Sequence, residues 1–124
     1  MNTTIIDGTK NTPEITFDVE NKTLSLNGKS LPEDSETFYL KVNELLDEFL
    51  QEINYTGLKI VCDLSYVNSS SSKRIYDIFK MSMKMVCNPD IIWRYDVDDD
   101  DVKEQGEEYE MALGLRVHFT FEPH

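Results

Sequence analysis

The chain has 124 residues, 40% of them hydrophobic, and carries 24 acidic against 12 basic side chains for a formal net charge of −12. One domain spanning residues 1–124 fits that length and has room for a core without disulfides or a structural metal. The composition excludes a disordered chain, and the charge speaks against nucleic acid and anionic membrane surfaces as partners.

Residues 1–13 are polar, rich in Thr and Asn, and read as a loosely held lead-in. Ile15-Thr16-Phe17 and Thr23-Leu24-Ser25-Leu26 alternate as strands, with a turn at Glu20-Asn21-Lys22 between them and Asn27-Gly28 closing the second. That pattern predicts an N-terminal β-hairpin. Ser35 or Asp34 is placed to cap a helix over about residues 35–53, whose apolar face is Phe38, Val42, Leu45, Leu46, Phe49 and Ile53. Leu58 to Leu64 is nearly continuous in apolar character and reads as a central strand covered on both faces.

The serine run Ser69-Ser70-Ser71-Ser72 interrupts the pattern. A second helix follows it with Ile75, Ile78, Phe79, Met83 and Val86 inward, and ends near Asn88-Pro89. Ile91 to Tyr95 is a strand, with Trp93 and Tyr95 sharing a face under a helix. Asp96 to Asp101 is an acidic loop. Glu104 to Leu113 is a third helix weakened by Gly106, and Val117 to Phe121 is a last strand. The order ββαβαβαβ predicts an α/β fold with a mixed, mostly parallel sheet covered by helices.

Chemistry-bearing motifs are few. Cys62 and Cys87 lack metal or redox spacing and read as buried free thiols. His118 reads as structural and His124 as a disordered terminus, and neither has ligand spacing to a cysteine or carboxylate cluster. No phosphate-cradling glycine loop and no nucleophile elbow is present, so an enzyme or nucleotide-binding domain is the weaker reading, and no cofactor is expected. Asp98 to Asp101 lacks the spacing of a calcium loop. It reads better as a solvated or partner-facing segment, with Asp99 or Asp101 capping the third helix. No signal peptide or membrane span is visible, which points to the cytoplasm.

The serine run lies between a strand's carboxyl end and a helix start, where ligands and modifications concentrate in α/β proteins. Free N–H groups and the positive end of the helix dipole favour a phosphate there, and Lys73 and Arg74 follow directly. The plainer alternative is a polar N-cap and nothing more. Met81 and Met85, expected to be partly exposed on the second helix, add adaptable apolar surface for a protein partner.

Gly8-Thr9 with Thr12-Pro13, Gly28 to Glu33, Tyr66 to Ser71, Trp93 to Asp96 with the acidic loop, and Gly106-Glu107 together resemble the SiaC-like family of bacterial regulatory phosphoproteins. The resemblance runs over nearly the whole chain and implies a fold similar to STAS domains and anti-sigma-factor antagonists. It implies a non-enzymatic protein that binds and activates a diguanylate cyclase when unphosphorylated, in cyclic-di-GMP and biofilm control. It also implies phosphorylation by a serine/threonine kinase and reversal by a PP2C-type phosphatase. The family's acceptor follows the Asn of the strand–helix junction, which places it at Ser69, with Ser70 next. Asn68, Ser70, Ser71, Lys73, Met81, Met85 and Asp99 are then the expected partner-binding residues. An anti-sigma-factor antagonist in transcriptional control would share the fold and the switch and differ only in partner.

Overall fold

The computed structural model describes residues 3–124. Its elements are β1 (Thr3–Ile6), β2 (Glu14–Asp18), β3 (Thr23–Ser30), α1 (Ser35–Glu52), β4 (Lys59–Val67), α2 (Ser69–Met85), β5 (Asp90–Tyr95), α3 (Asp100–Leu113) and β6 (His118–Pro123), with a 3₁₀ turn at Gly114–Arg116. The strands form one six-stranded sheet in sequence order. β1–β2 and β2–β3 pair antiparallel, and every later pair is parallel. The fold is the mixed, mostly parallel α/β architecture that the pattern predicts, and it is STAS-like, as the family resemblance implies.

The lead-in is more ordered than its composition implies. Thr3–Ile6 adds an edge strand to the predicted hairpin, with Ile6 opposite Ile15. Thr9 closes a turn on Thr12 through a backbone bond of 2.9 Å and a hydroxyl contact of 2.6 Å. Met1 and Asn2, where the predicted lead-in starts, lie outside the described residues.

Strand register sorts the side chains into two faces. Ile15, Leu26, Cys62, Trp93 and Phe121 form one row across the sheet, and Phe17, Leu24, Ile60, Ile91 and Phe119 form a second on the same face. All but the two β6 phenylalanines are buried. The opposite row, Thr16, Ser25, Val61, Ile92 and Thr120, contains no buried residue. The expectation that the central strand is covered on both faces is therefore wrong. From β3 to β6 each crossover steps to the next strand in one direction, and right-handed crossovers that never reverse deliver every helix to one face. Val61 and Ile92 supply the apolar continuity on the open side, where β-branched side chains suit a half-covered pleat.

α1 buries Tyr39, Val42, Leu46, Phe49 and Leu50. Its core stripe is thus rotated from the predicted one, and Phe38 and Leu45 stand half-buried at the margin. Phe49 meets Phe17 edge-on at 5.5 Å. β3 does not close at Asn27-Gly28; it continues to Ser30 through a bulge, with Gly28 at φ 122°. That left-handed backbone favours glycine. Met83 is only half-buried. α2 stops at Met85, and the chain turns outward through Asn88 at φ 53°. Cys87 is consequently exposed rather than buried, while Cys62 lies in the core.

Gly106 permits the packing of α3 instead of weakening it. A Cβ there would sit 2.5 Å from Trp93 Cδ1, and Trp93 Nε1 donates to the Val102 carbonyl at 2.9 Å. Gly106→Ala gains about 1 kcal/mol of intrinsic helix propensity. Overpacking against the indole outweighs it, for an expected net loss of about 1–2 kcal/mol. Urea unfolding followed by Trp93 fluorescence checks this, and an unchanged midpoint would show that α3 absorbs the methyl group.

Candidate functional site

α1, α2 and α3 each follow a strand of the parallel part of the sheet, so all three begin at the same carboxyl edge. Each is capped by the side chain before it. Asp34 accepts from Thr37 N at 3.1 Å, Asn68 from Ser71 N at 2.9 Å, and Asp99 from Val102 N at 3.1 Å. The hydroxyl and N–H of Thr37 hold the Asp34 carboxyl below its ordinary range. Asp34 and Asp99 are the caps chosen from the alternatives read in the sequence. α3 starts at Asp100, four residues earlier than predicted, because the Asp99 carboxylate caps it by accepting from the free Val102 N–H.

α2 also starts earlier than predicted. Ser69 to Ser72 are its first turn rather than a loop before it. The chain reaches this point by a fixed route, since Asn68 N donates to the Ser30 carbonyl at 2.9 Å beside the bulged ends of β3 and β4.

The helix sorts the four serines into different environments. Ser69 and Ser70 are exposed. Among the described residues, Ser70 Oγ makes only a long bond of 3.3 Å, to Asn68 Oδ1. Ser71 is fully buried, so it cannot lie on an exposed docking surface in this conformation. Ser72 is half-buried and engaged by α3: its hydroxyl meets Tyr109 Oη at 2.8 Å and accepts from Gln105 Nε2 at 3.2 Å. Tyr109 Oη in turn donates to the Ser72 carbonyl at 2.8 Å. The Tyr109 ring packs edge-on against Phe79 and Trp93.

A second buried tyrosine lies on the α1 side, where Tyr39 Oη meets Ser30 Oγ at 2.5 Å. Nothing in the hydrophobic pattern marked these two tyrosines as polar anchors. A buried tyrosine's need for a hydroxyl partner is the one signal the sequence carried.

The remaining candidates are spread out. Lys73 is exposed one turn into α2. Met81 is half-buried against the core, and Met85, 40% exposed, stands at the far end of the helix, about 22 Å from Ser70. The structure does not bring Met85 to the serine run. Asp99 lies at the common edge, where Asp63, Asp96, Asp98 to Asp101 and His124 line a cavity of about 620 Å³. Its walls repel phosphate, and among the described residues no group of three or more His, Cys, Asp and Glu is arranged to hold a metal. His124 is not a loose terminus: its backbone N donates to the Tyr95 carbonyl at 2.9 Å, and its ring meets Asp63 at 3.2 Å. His118 meets Asp90 at 3.0 Å.

Residues 6–123 match the family model described as SiaC family regulatory phosphoprotein. The chain belongs to that family. An uncharacterized protein of Pseudomonas aeruginosa strain UCBPP-PA14 is 32% identical over 107 residues, which cover 84% of each chain. The fold is also similar to solved structures of SiaC from Pseudomonas aeruginosa. One superposes with a TM-score of 0.85 at 27% identity over the full length of both chains. Another, in which SiaC is in complex with the diguanylate cyclase SiaD that it activates, gives 0.84 at 28% identity over 98% of this chain and 99% of that one. The protein is regulatory and non-catalytic, as a member of this family. No helix among the described residues is long and apolar enough to cross a membrane.

Two measurements probe the site as built. Asn68→Ala is expected to cost about 1 kcal/mol in urea unfolding by leaving the Ser71 N–H without its cap. Alkaline stability tests the buried phenols. Burial pushes the Tyr39 hydroxyl up to about 12 and raises that of Tyr109 above its ordinary value. The fold therefore favours the protonated phenols. Their contribution is complete below about pH 10, where phenols of the unfolded chain ionise, and is lost as pH rises toward about 12. Thermal midpoints should fall over that window, and Tyr39→Phe should flatten the fall.

Proposed function

We propose that the protein is a phosphorylation-switched adaptor that binds and activates a diguanylate cyclase while the first turn of α2 is unmodified. The observation that carries this reading is the electrostatic contrast among the three helix starts at the common edge. α1 and α3 have acidic caps and acidic first turns. α2 has the neutral cap Asn68, no acidic residue in its first turn and two exposed hydroxyls, Ser69 and Ser70. Fixed carboxylates already compensate the positive dipole ends of the other two helices, whereas at α2 that position is open to an added charge.

Phosphorylation there adds about 1.5 to 2 negative charges and three acceptor oxygens without touching the core. Ser69 is the acceptor that the family resemblance favours, with Ser70 next to it. A partner seated over the unmodified turn would have to desolvate the phosphate or face its charge, so modification releases it. The solved complex of the similar SiaC with its diguanylate cyclase supports an enzyme of that class as the output partner. A serine/threonine kinase would write the mark and a PP2C-type phosphatase would erase it. Asn68 and Lys73 flank the turn and Asp99 lies on the same edge of the sheet; all three belong to the proposed docking surface, with Met81 further along α2.

The test is co-purification of the native cyclase on wild type, Ser69→Ala and Ser69→Glu. Wild type and the alanine form should retain it and raise its activity. The glutamate form should hold it at least tenfold more weakly. Equal capture by all three would reduce Ser69 to a helix-start residue and remove it as the switch.

A further inference from the structure

α2 carries two cations in the turn that follows the serines, and they are placed unequally around the two exposed hydroxyls. At about 100° per residue, Ser70 lies between them, about 60° from Lys73 on one side and about 40° from Arg74 on the other. Ser69 lies about 40° from Lys73 but about 140° from Arg74. Ser70 therefore has a cation at i+3 and another at i+4, both within side-chain reach on the helix surface, with the acidic partner on the N-terminal side as helix pairs prefer.

Neither cation is closed off by a direct partner among the described residues. Lys73 is exposed and Arg74 half-buried, and among the described residues neither makes a hydrogen bond or an ion pair. The guanidinium of a half-buried arginine, with its donors open, is a fork suited to the oxygens of a phosphate. The charge of Arg74 reaches Asp34 at the start of α1, where it is a minor contributor to lowering that carboxyl. The other acidic group at this azimuth is Asp77, one turn beyond Arg74.

We propose that Ser70 is a phosphoacceptor in its own right and that Lys73 and Arg74 form the receptor that holds its phosphoryl group. The proposal rests on the phosphoswitch reading above and adds a distinct acceptor and the side chains that read it. A kinase would transfer the terminal phosphoryl group of a nucleoside triphosphate: the Ser70 Oγ–P bond forms, the bond to the diphosphate breaks, and the hydroxyl proton passes to the kinase's base. Before transfer, that hydroxyl's one bond among the described residues is the long one to Asn68.

The test uses the full chain with phosphoserine installed at position 70 or at position 69, each titrated by ³¹P NMR without any partner. The second ionisation of a free phosphoserine lies at about pH 6. At position 70 it should fall below that value, and Arg74→Gln and Lys73→Gln should each move it back up. At position 69 only Lys73→Gln should move it. Circular dichroism of each variant establishes that it is folded before titration. A position-70 phosphate whose titration is indifferent to Arg74→Gln in a folded protein overturns the receptor, as does an equal response to Arg74→Gln at position 69. Because no partner enters, the two readings fail separately. A cyclase that stays bound although the position-70 phosphate responds to Arg74→Gln would remove that phosphate as a switch and support the receptor. A cyclase released by a phosphate indifferent to Arg74→Gln would keep the switch and overturn the receptor.

Discussion

From β3 onward, each strand is laid beside the previous one in a constant direction. Right-handed crossovers then have one outcome: all three helices lie on the same face and all begin at the same edge. The rest of the architecture follows from this. One face of the sheet is the core and the other is half-covered by its own side chains, with Ile5, Val61 and Ile92 among its apolar members and Asp63, Arg94 and Glu122 linked by ion pairs. The strand order never reverses, so the crevice in which open α/β sheets usually bind nucleotides has no place to form. What remains at the carboxyl edge is a row of helix starts, which suits a surface read by other proteins.

The three helices are held together by a small set of buried contacts. Trp93 is central to them. Its indole sits against Gly106 and donates to Val102, which brings α3 close enough for Tyr109 to reach across to Ser72. Tyr109 joins the serine run of α2 to the Trp93 contact beneath α3, while Ser71 fills a buried position on the same turn. Two of the four serines are thus structural parts of the helix packing. The exposed pair is held on a rigid turn whose geometry is set by residues far away in sequence. A modification at Ser69 or Ser70 would alter charge at the surface while these contacts keep the fold beneath it unchanged.

Charge is distributed to match. The chain is strongly acidic, yet α2 carries Lys73, Arg74, Lys80 and Lys84 against the single acid Asp77. It is a basic ridge beside the acidic α3. On such a background an added phosphate changes the local sign of the surface instead of deepening a charge already present.

Much of this was determined by sequence. Alternation marked the hairpin, three- and four-residue spacing marked the helices, and the family resemblance pointed to the start of α2. These signals are local, and local periodicity survives without knowledge of the fold. Tertiary structure decided what depends on contacts between distant segments. It set Thr3–Ile6 as an edge strand because β2 offered a free edge. It left one sheet face open because the crossovers do not reverse. It made Gly106 a packing requirement because Trp93, thirteen residues earlier, needs the space. The serine run is the sharpest case. Four identical side chains are equivalent as letters, but a helix turns them in four directions. Only the positions of Tyr109, the core and Asn68 separate one buried serine and one tied serine from two that face solvent.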